Sequence, residues 1–250
     1  MNKTLLSFII TTLSGISTTL GIIPCFFKAK NQNKIISSSL SFASGVMLSI
    51  SLISLIPESS KLLSENFSPT LSFLICSLFI VLGIFISSTI DDKIDKKLSS
   101  SKLHKLGIIS AIVLMLHNIP EGMTSFISTS KNTNLGIKLA LAIALHNIPE
   151  GISIAIPIYY STKSKLKAFL YTLIAGFSEL LGAIISYVFL KKYISNLLLS
   201  IILAITAGIM IDISVYEFIP KSYENKKSKS TTLAFVLGIL IIFLSELYLF

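Results

Sequence analysis

The sequence predicts an all-α integral membrane protein with eight membrane-crossing helices, and three observations lead there. Of its 250 residues 52% are hydrophobic and only 13% are charged, whereas ordinary soluble domains carry about 25% charged residues. The apolar residues gather in windows of roughly 20, the length a helix needs to cross the hydrocarbon core of a bilayer. The polar stretches between the windows are short. Backbone groups in lipid must find their partners internally, so such windows are helices; a barrel would show alternating segments of about ten residues.

The first window covers residues 5–27 and has a single lysine, Lys3, ahead of it. A cleaved signal peptide would have a shorter apolar region and a small-residue cleavage site, so this stretch is expected to be a retained first helix. The remaining windows are 35–57, 69–90, 106–128, 136–160, 168–190, 197–220 and 232–250, making residues 1–250 one polytopic membrane domain. The longest polar connection, DDKIDKKLSSSKLHK at 91–105, is expected to be a solvated loop. In it His104, with Asp91, Asp92 and Asp95, makes at most a weak metal-holding group. Cys25 and Cys76 lie in apolar runs without a CxxC or histidine partner, which suits small core residues.

The lysines orient the bundle. Connections 1–2, 3–4, 5–6 and 7–8 hold 15 of the 21 lysines, and there is no arginine. Positive charge collects on the cytoplasmic side, so both termini are expected to face outward and the 91–105 loop inward. Nucleic-acid binding would need these cations clustered on one folded surface. They fall instead in tracts between apolar runs, and no nucleic-acid partner is expected.

Two internal repeats stand out. The heptad LHNIPEG occupies 116–122 and returns at 145–151. A fainter echo links SGVMLSISLISLIPES at 44–59 with AGIMIDISVYEFIPKS at 207–222, aligning Gly45 with Gly208, Met47 with Met210, Ser51 with Ser214 and Pro57 with Pro220. By the lysine count the paired helices run in opposite directions, which is the mark of an inverted repeat. The resulting arrangement is three helices, a central pair, and three helices.

The heptads carry the chemistry. On a helix His117, Asn118 and Glu121 lie near one face, and His146, Asn147 and Glu150 repeat the set. A carboxylate at mid-bilayer costs about 2.5–3.5 kcal/mol on insertion scales, which is hard to justify for structure alone. Imidazole nitrogen and carboxylate oxygen suit zinc and other first-row divalent ions. Pro120 and Pro149 remove the N–H partners of the Leu116 and Leu145 carbonyls, so a kink is expected in each helix. Gly122 and Gly151 permit close helix contact. In AGFSELLGA, Glu179 sits among Gly176, Ser178 and Gly182, a carboxylate at a tight interface. Asp212 and Met47 are candidate pathway residues, the first a deep carboxylate and the second a soft thioether. Glu58, Glu217 and Glu246 lie near helix ends and are read as interfacial.

With these residues in view, the chain resembles the ZIP family of divalent metal transporters, and within it the short bacterial zinc-uptake-like branch. The resemblance covers essentially the whole chain. It implies a binuclear, mid-membrane metal centre formed by His117, Asn118, Glu121, His146, Asn147, Glu150 and Glu179, with Met47 at the usual position of an outer ligand. It implies transport toward the cytoplasm by one helix bundle sliding against a static one, with a homodimer through the static bundle as a candidate assembly. Zinc leads as the transported ion, followed by iron, manganese and cadmium; no cofactor is implied. Two departures matter. Leu180 stands where the family typically has a proline after the glutamate, and only His104 remains of a connection that is often histidine-rich.

The rival reading is an intramembrane metal-dependent hydrolase. The H-x-x-x-E spacing lacks the second histidine of H-E-x-x-H, and an enzyme would need an open coordination position and a general base. A sensor without transport would need an output domain, for which the apolar windows leave no room.

Overall fold

Asn2 opens the first span by accepting a hydrogen bond from the Thr4 backbone N–H, a normal N-cap use of a short amide side chain. The helix runs from Lys3 to Ile16 and then tightens into a 3-10 helix over Ser17–Phe26. Ten residues is long for that form. Here the tight winding coincides with the place where Gly21 meets the backbone of Gly151 and Ile152. The computed structural model describes residues 2–27, 31–97, 101–189, 196–224 and 229–249. Among them every regular element is helical, and eight helices are long and apolar enough to cross a membrane.

Span 2 runs from Gln32 to Ser64, span 3 from Pro69 to Lys97, span 4 from Lys102 to Lys131 and span 5 from Thr133 to Thr162. Span 6 covers Lys165–Phe189, span 7 Asn196–Tyr223 and span 8 Lys229–Leu249. The expected windows marked the apolar centres of these helices, and the observed ends lie beyond them at most termini. Of the expected loop at 91–105, residues 91–97 continue span 3 and 102–105 begin span 4, both as helix, while 98–100 lie outside the described residues. Hydropathy registers only the lipid-immersed part of a helix, whereas Asp and Lys continue a helix readily once it emerges. Ser101 then caps span 4, its side chain accepting from the His104 backbone N–H.

The prolines of the spans sit in two kinds of helical surrounding. Spans 4 and 5 run as unbroken α-helix past Pro120 and Pro149. The helical register instead changes in spans 2 and 7, where π-helical turns occupy Ile50–Leu55 and Ile213–Phe218. Each ends beside a proline, Pro57 or Pro220. A proline cannot donate and its ring crowds the carbonyl four residues back. In the wider turns the Ile56 N–H reaches Ser51 O and the Ile219 N–H reaches Ser214 O, each five residues back.

The spans pack in two groups. Spans 1, 4, 5 and 6 contact one another extensively, while span 2 pairs with span 8 and span 3 with span 7. Spans 2 and 7 also touch spans 5 and 4, joining the groups. The outward faces are apolar, as with Phe73 and Phe85 on span 3 and Leu233 and Leu247 on span 8. In lipid, apolar residues on the outside carry no penalty, and the buried faces are rich in Ser, Thr, Gly and Ala, which let membrane helices approach closely.

Candidate metal centre

Four LHNIPEG side chains meet between spans 4 and 5. His117 Nε2 lies 3.1 Å from Glu121 Oε1 and 3.4 Å from Glu150 Oε1, and His146 Nε2 is 2.8 Å from Glu121 Oε1. His117 and Glu150 are 1% and 0% exposed as side chains, while His146, at 12%, is the most exposed of the four. His117 and Glu121 come from one helix at four-residue spacing, and the second copy of the motif closes the cluster from the facing helix. Among the described residues no three His, Cys, Asp or Glu side chains stand in closed metal-holding geometry. The imidazoles and carboxylates contact one another directly instead.

The glutamate of span 6 builds the adjoining part. Glu179 is fully buried and accepts hydrogen bonds from Ser14 Oγ and from Asn147 Nδ2, both at 2.5 Å. Asn147 Nδ2 also donates to the Ser14 carbonyl at 2.9 Å, and Asn118 Nδ2 donates to the Ala175 carbonyl at 3.0 Å. Small residues make these contacts possible. A Cβ on Gly122 would strike the Glu179 carbonyl, and one on Gly151 would strike the Thr18 carbonyl.

The chemistry of the unpartnered atoms is one-sided. His117 Nδ1, Asn118 Oδ1, Asn147 Oδ1, Glu121 Oε2 and Glu150 Oε2 are buried without hydrogen-bond partners. A buried polar atom left unpaired costs about 1–3 kcal/mol. Nearly all of these are electron-pair donors, and one group that satisfies many such atoms together is a cation.

A family model described as ZIP zinc transporter matches residues 89–246. The chain belongs to the ZIP family. The proteins named zinc transporter ZupT from Streptococcus mutans and Chlorobium luteolum are 34% and 32% identical to it, over 96% and 97% of both chains respectively. The one from Clostridium perfringens is 31% identical over 99% of this chain and 97% of its own. Membership in the ZIP family makes the chain a multi-pass membrane transporter rather than an enzyme, so the hydrolase reading falls.

Of the residues singled out by sequence, His117, Asn118, Glu121, His146, Asn147, Glu150 and Glu179 lie together in this ZIP core. Asp212 is elsewhere: it is buried in span 7 and accepts from Ser88 Oγ of span 3 at 3.3 Å. Met47 is enclosed in the apolar core. Glu58 is half-exposed beside Lys61, while Glu246 is half-buried and accepts from Ser54 of span 2. His104 sits in the first turn of span 4, with Nδ1 3.1 Å from Ser161 Oγ of span 5. Sequence reasoning missed Ser14. Its signal was the spacing of Ser7, Thr11, Ser14 and Thr18, which puts one polar, small-residue face on span 1, and all four are buried.

Proposed function

We propose that this protein moves zinc into the cytoplasm through the cluster between spans 4, 5 and 6. The ligands are His117, Glu121, His146 and Glu150 on one side and Asn118, Asn147 and Glu179 on the other, a set that suits a binuclear centre. The observation that carries this reading is the cluster of imidazoles and carboxylates in direct contact, with several buried oxygens left without hydrogen-bond partners, contributed by two copies of one motif. Zinc takes nitrogen and oxygen ligands readily. Conduction also needs binding weak enough to let the ion leave, and a site of His, Asn and Glu without thiolate meets that need. The relatives' names favour zinc; iron, manganese and cadmium are secondary substrates on the same ligand chemistry.

The inverted 3+2+3 repeat, with both termini outside, is part of the proposal. Matched features support it. The two π turns share the offset of 163 residues found for Gly45 and Gly208. Gly45 meets the Phe235 carbonyl as Gly208 meets that of Ile80. Asn118 and Asn147 make equivalent bonds to spans 6 and 1. Spans 1, 4, 5 and 6 then form the group that carries the ion, sliding against spans 2, 3, 7 and 8, and the static group supplies a homodimer contact.

The test is uptake of radiolabelled zinc by proteoliposomes of purified protein, with competing iron, manganese and cadmium. Wild type is expected to accumulate zinc, and His146→Ala and Glu150→Ala to abolish uptake while eluting as folded protein. Normal transport by both variants would overturn the site assignment.

A further inference from the structure

The 3-10 segment of span 1 forms one wall of a groove that opens to lipid. Leu20, Ile23 and Phe26 line it from span 1, and Leu166 and Phe169 from span 6, enclosing about 430 Å3 with Lys165 at one end. Thr19 also lines it, but its hydroxyl donates to the Ile16 carbonyl at 2.7 Å. Among the described lining residues the Lys165 ammonium is therefore the one charged group, and the walls below it are apolar. From residue 19 to residue 26 a 3-10 helix, rising about 2 Å per residue, reaches about 14 Å. Half of the ~30 Å hydrocarbon core is about 15 Å, so the groove is one leaflet deep.

The charged end is uniformly positive. Lys165 opens span 6, and its Nζ stands 4.3 Å from the Phe26 ring centroid, a cation–π contact that holds the ammonium over the groove. The chain stretches that meet these two residues, 28–34 and 161–167, carry six lysines and no acidic residue. An apolar slot of this depth, with a cation at its rim and no negative charge beside it, complements an acyl chain below a phosphate. Lysine takes phosphate as a point charge, and juxtamembrane cations attract the anionic lipids of the cytoplasmic leaflet.

The same wall supports the central cluster from its other face. Gly21 abuts the backbone of Gly151 and Ile152, and the Thr18 carbonyl abuts Gly151, the residue after Glu150. One segment of span 1 thus touches the groove on one side and the end of the second heptad on the other.

We propose that the groove binds an anionic phospholipid of the cytoplasmic leaflet, with one acyl chain between spans 1 and 6 and the phosphate on Lys165, and that this lipid braces the 3-10 segment against Gly151. The leaflet follows the proposed orientation. The effect on transport rests on the zinc-import reading, whereas binding of the lipid does not.

The test has two readouts on purified full-length protein. The first is native mass spectrometry after exchange into equal amounts of phosphatidylglycerol and phosphatidylcholine. Wild type is expected to retain phosphatidylglycerol several-fold over phosphatidylcholine. Lys165→Glu, which reverses the charge, and Ile23→Trp, which fills the groove, should lose that preference, while Lys165→Arg keeps it. The second is zinc uptake into phosphatidylcholine vesicles with or without phosphatidylglycerol, read by a zinc-sensitive dye in the lumen. Phosphatidylglycerol should raise the wild-type rate several-fold and leave that of Lys165→Glu unchanged. Equal retention of both lipids by wild type would show annular lipid only and overturn the proposal, as would full preference in Lys165→Glu or Ile23→Trp. A wild-type rate indifferent to phosphatidylglycerol, or an increase shared by Lys165→Glu through surface charge alone, overturns the bracing role. Wild-type protein that moves no zinc in either vesicle overturns the import reading, and the retention result then decides the lipid site by itself.

Discussion

The two asparagines perform a task the histidines cannot. Each uses its amide N–H to grip the backbone of a neighbouring span, Ala175 for Asn118 and Ser14 for Asn147. In each the side-chain carbonyl oxygen is left buried without a hydrogen-bond partner. Asn147 also donates to Glu179, so replacing it with Asp puts two carboxylates side by side. Like charges at that distance oppose each other unless a cation intervenes. Asn147→Asp should therefore melt at a lower temperature than wild type without zinc and gain a larger stabilisation on zinc addition, by linkage to binding; thermal unfolding in detergent checks this, and an unchanged zinc response would count against the site. Ser14→Ala removes a hydrogen bond to a carboxylate, worth about 1.5–3 kcal/mol, and should destabilise the fold by that order in the same assay. The heptad residues were legible in the sequence because a histidine or glutamate in lipid is costly and needs a reason. Ser14 was not: serine costs little there, and this chain has many.

At the scale of elements, positions of the helices were legible and their interruptions were not. A proline in a helix announces that one backbone bond is missing, but not how the helix responds. Pro120 and Pro149 are accommodated within α-helix, whereas Pro57 and Pro220 follow π turns. The difference comes from surroundings that only the fold supplies. The polar stretch at 91–105 was misread for a related reason, because hydropathy sees where lipid ends rather than where helix ends. Close packing of spans 1, 4, 5 and 6 gives a prediction of its own. Gly122 and Gly151 abut the Glu179 and Thr18 carbonyls, backbone atoms that cannot swing aside. Gly151→Ala should destabilise by about 1–3 kcal/mol, the usual range for overpacking, and lower zinc uptake by parting spans 1 and 5. Wild-type thermal stability in that variant would show the contact to be looser than described.

For the whole molecule, the composition and the eight apolar windows were enough to place the chain in a membrane, and the repeated heptad is the ground for the proposed metal centre. How the spans pair was beyond the sequence, since pairing depends on which small residues face each other. The proposed orientation, read from the lysine distribution, is open to direct test. In a Cys25→Ala/Cys76→Ala background, single cysteines introduced into connections 1–2 and 5–6 should react with a membrane-impermeant thiol reagent only from the cytoplasmic side. Labelling from outside would reverse the topology and the direction of transport with it. The central claim, that the two heptads hold zinc between them, is tested most directly by the zinc K-edge X-ray absorption spectrum of the zinc-loaded protein. The account predicts nitrogen and oxygen ligands at about 2.0–2.2 Å with an imidazole scattering pattern that largely disappears in His117→Ala/His146→Ala. Bound zinc whose imidazole signal survives that double substitution, or whose ligands include sulfur, would contradict it.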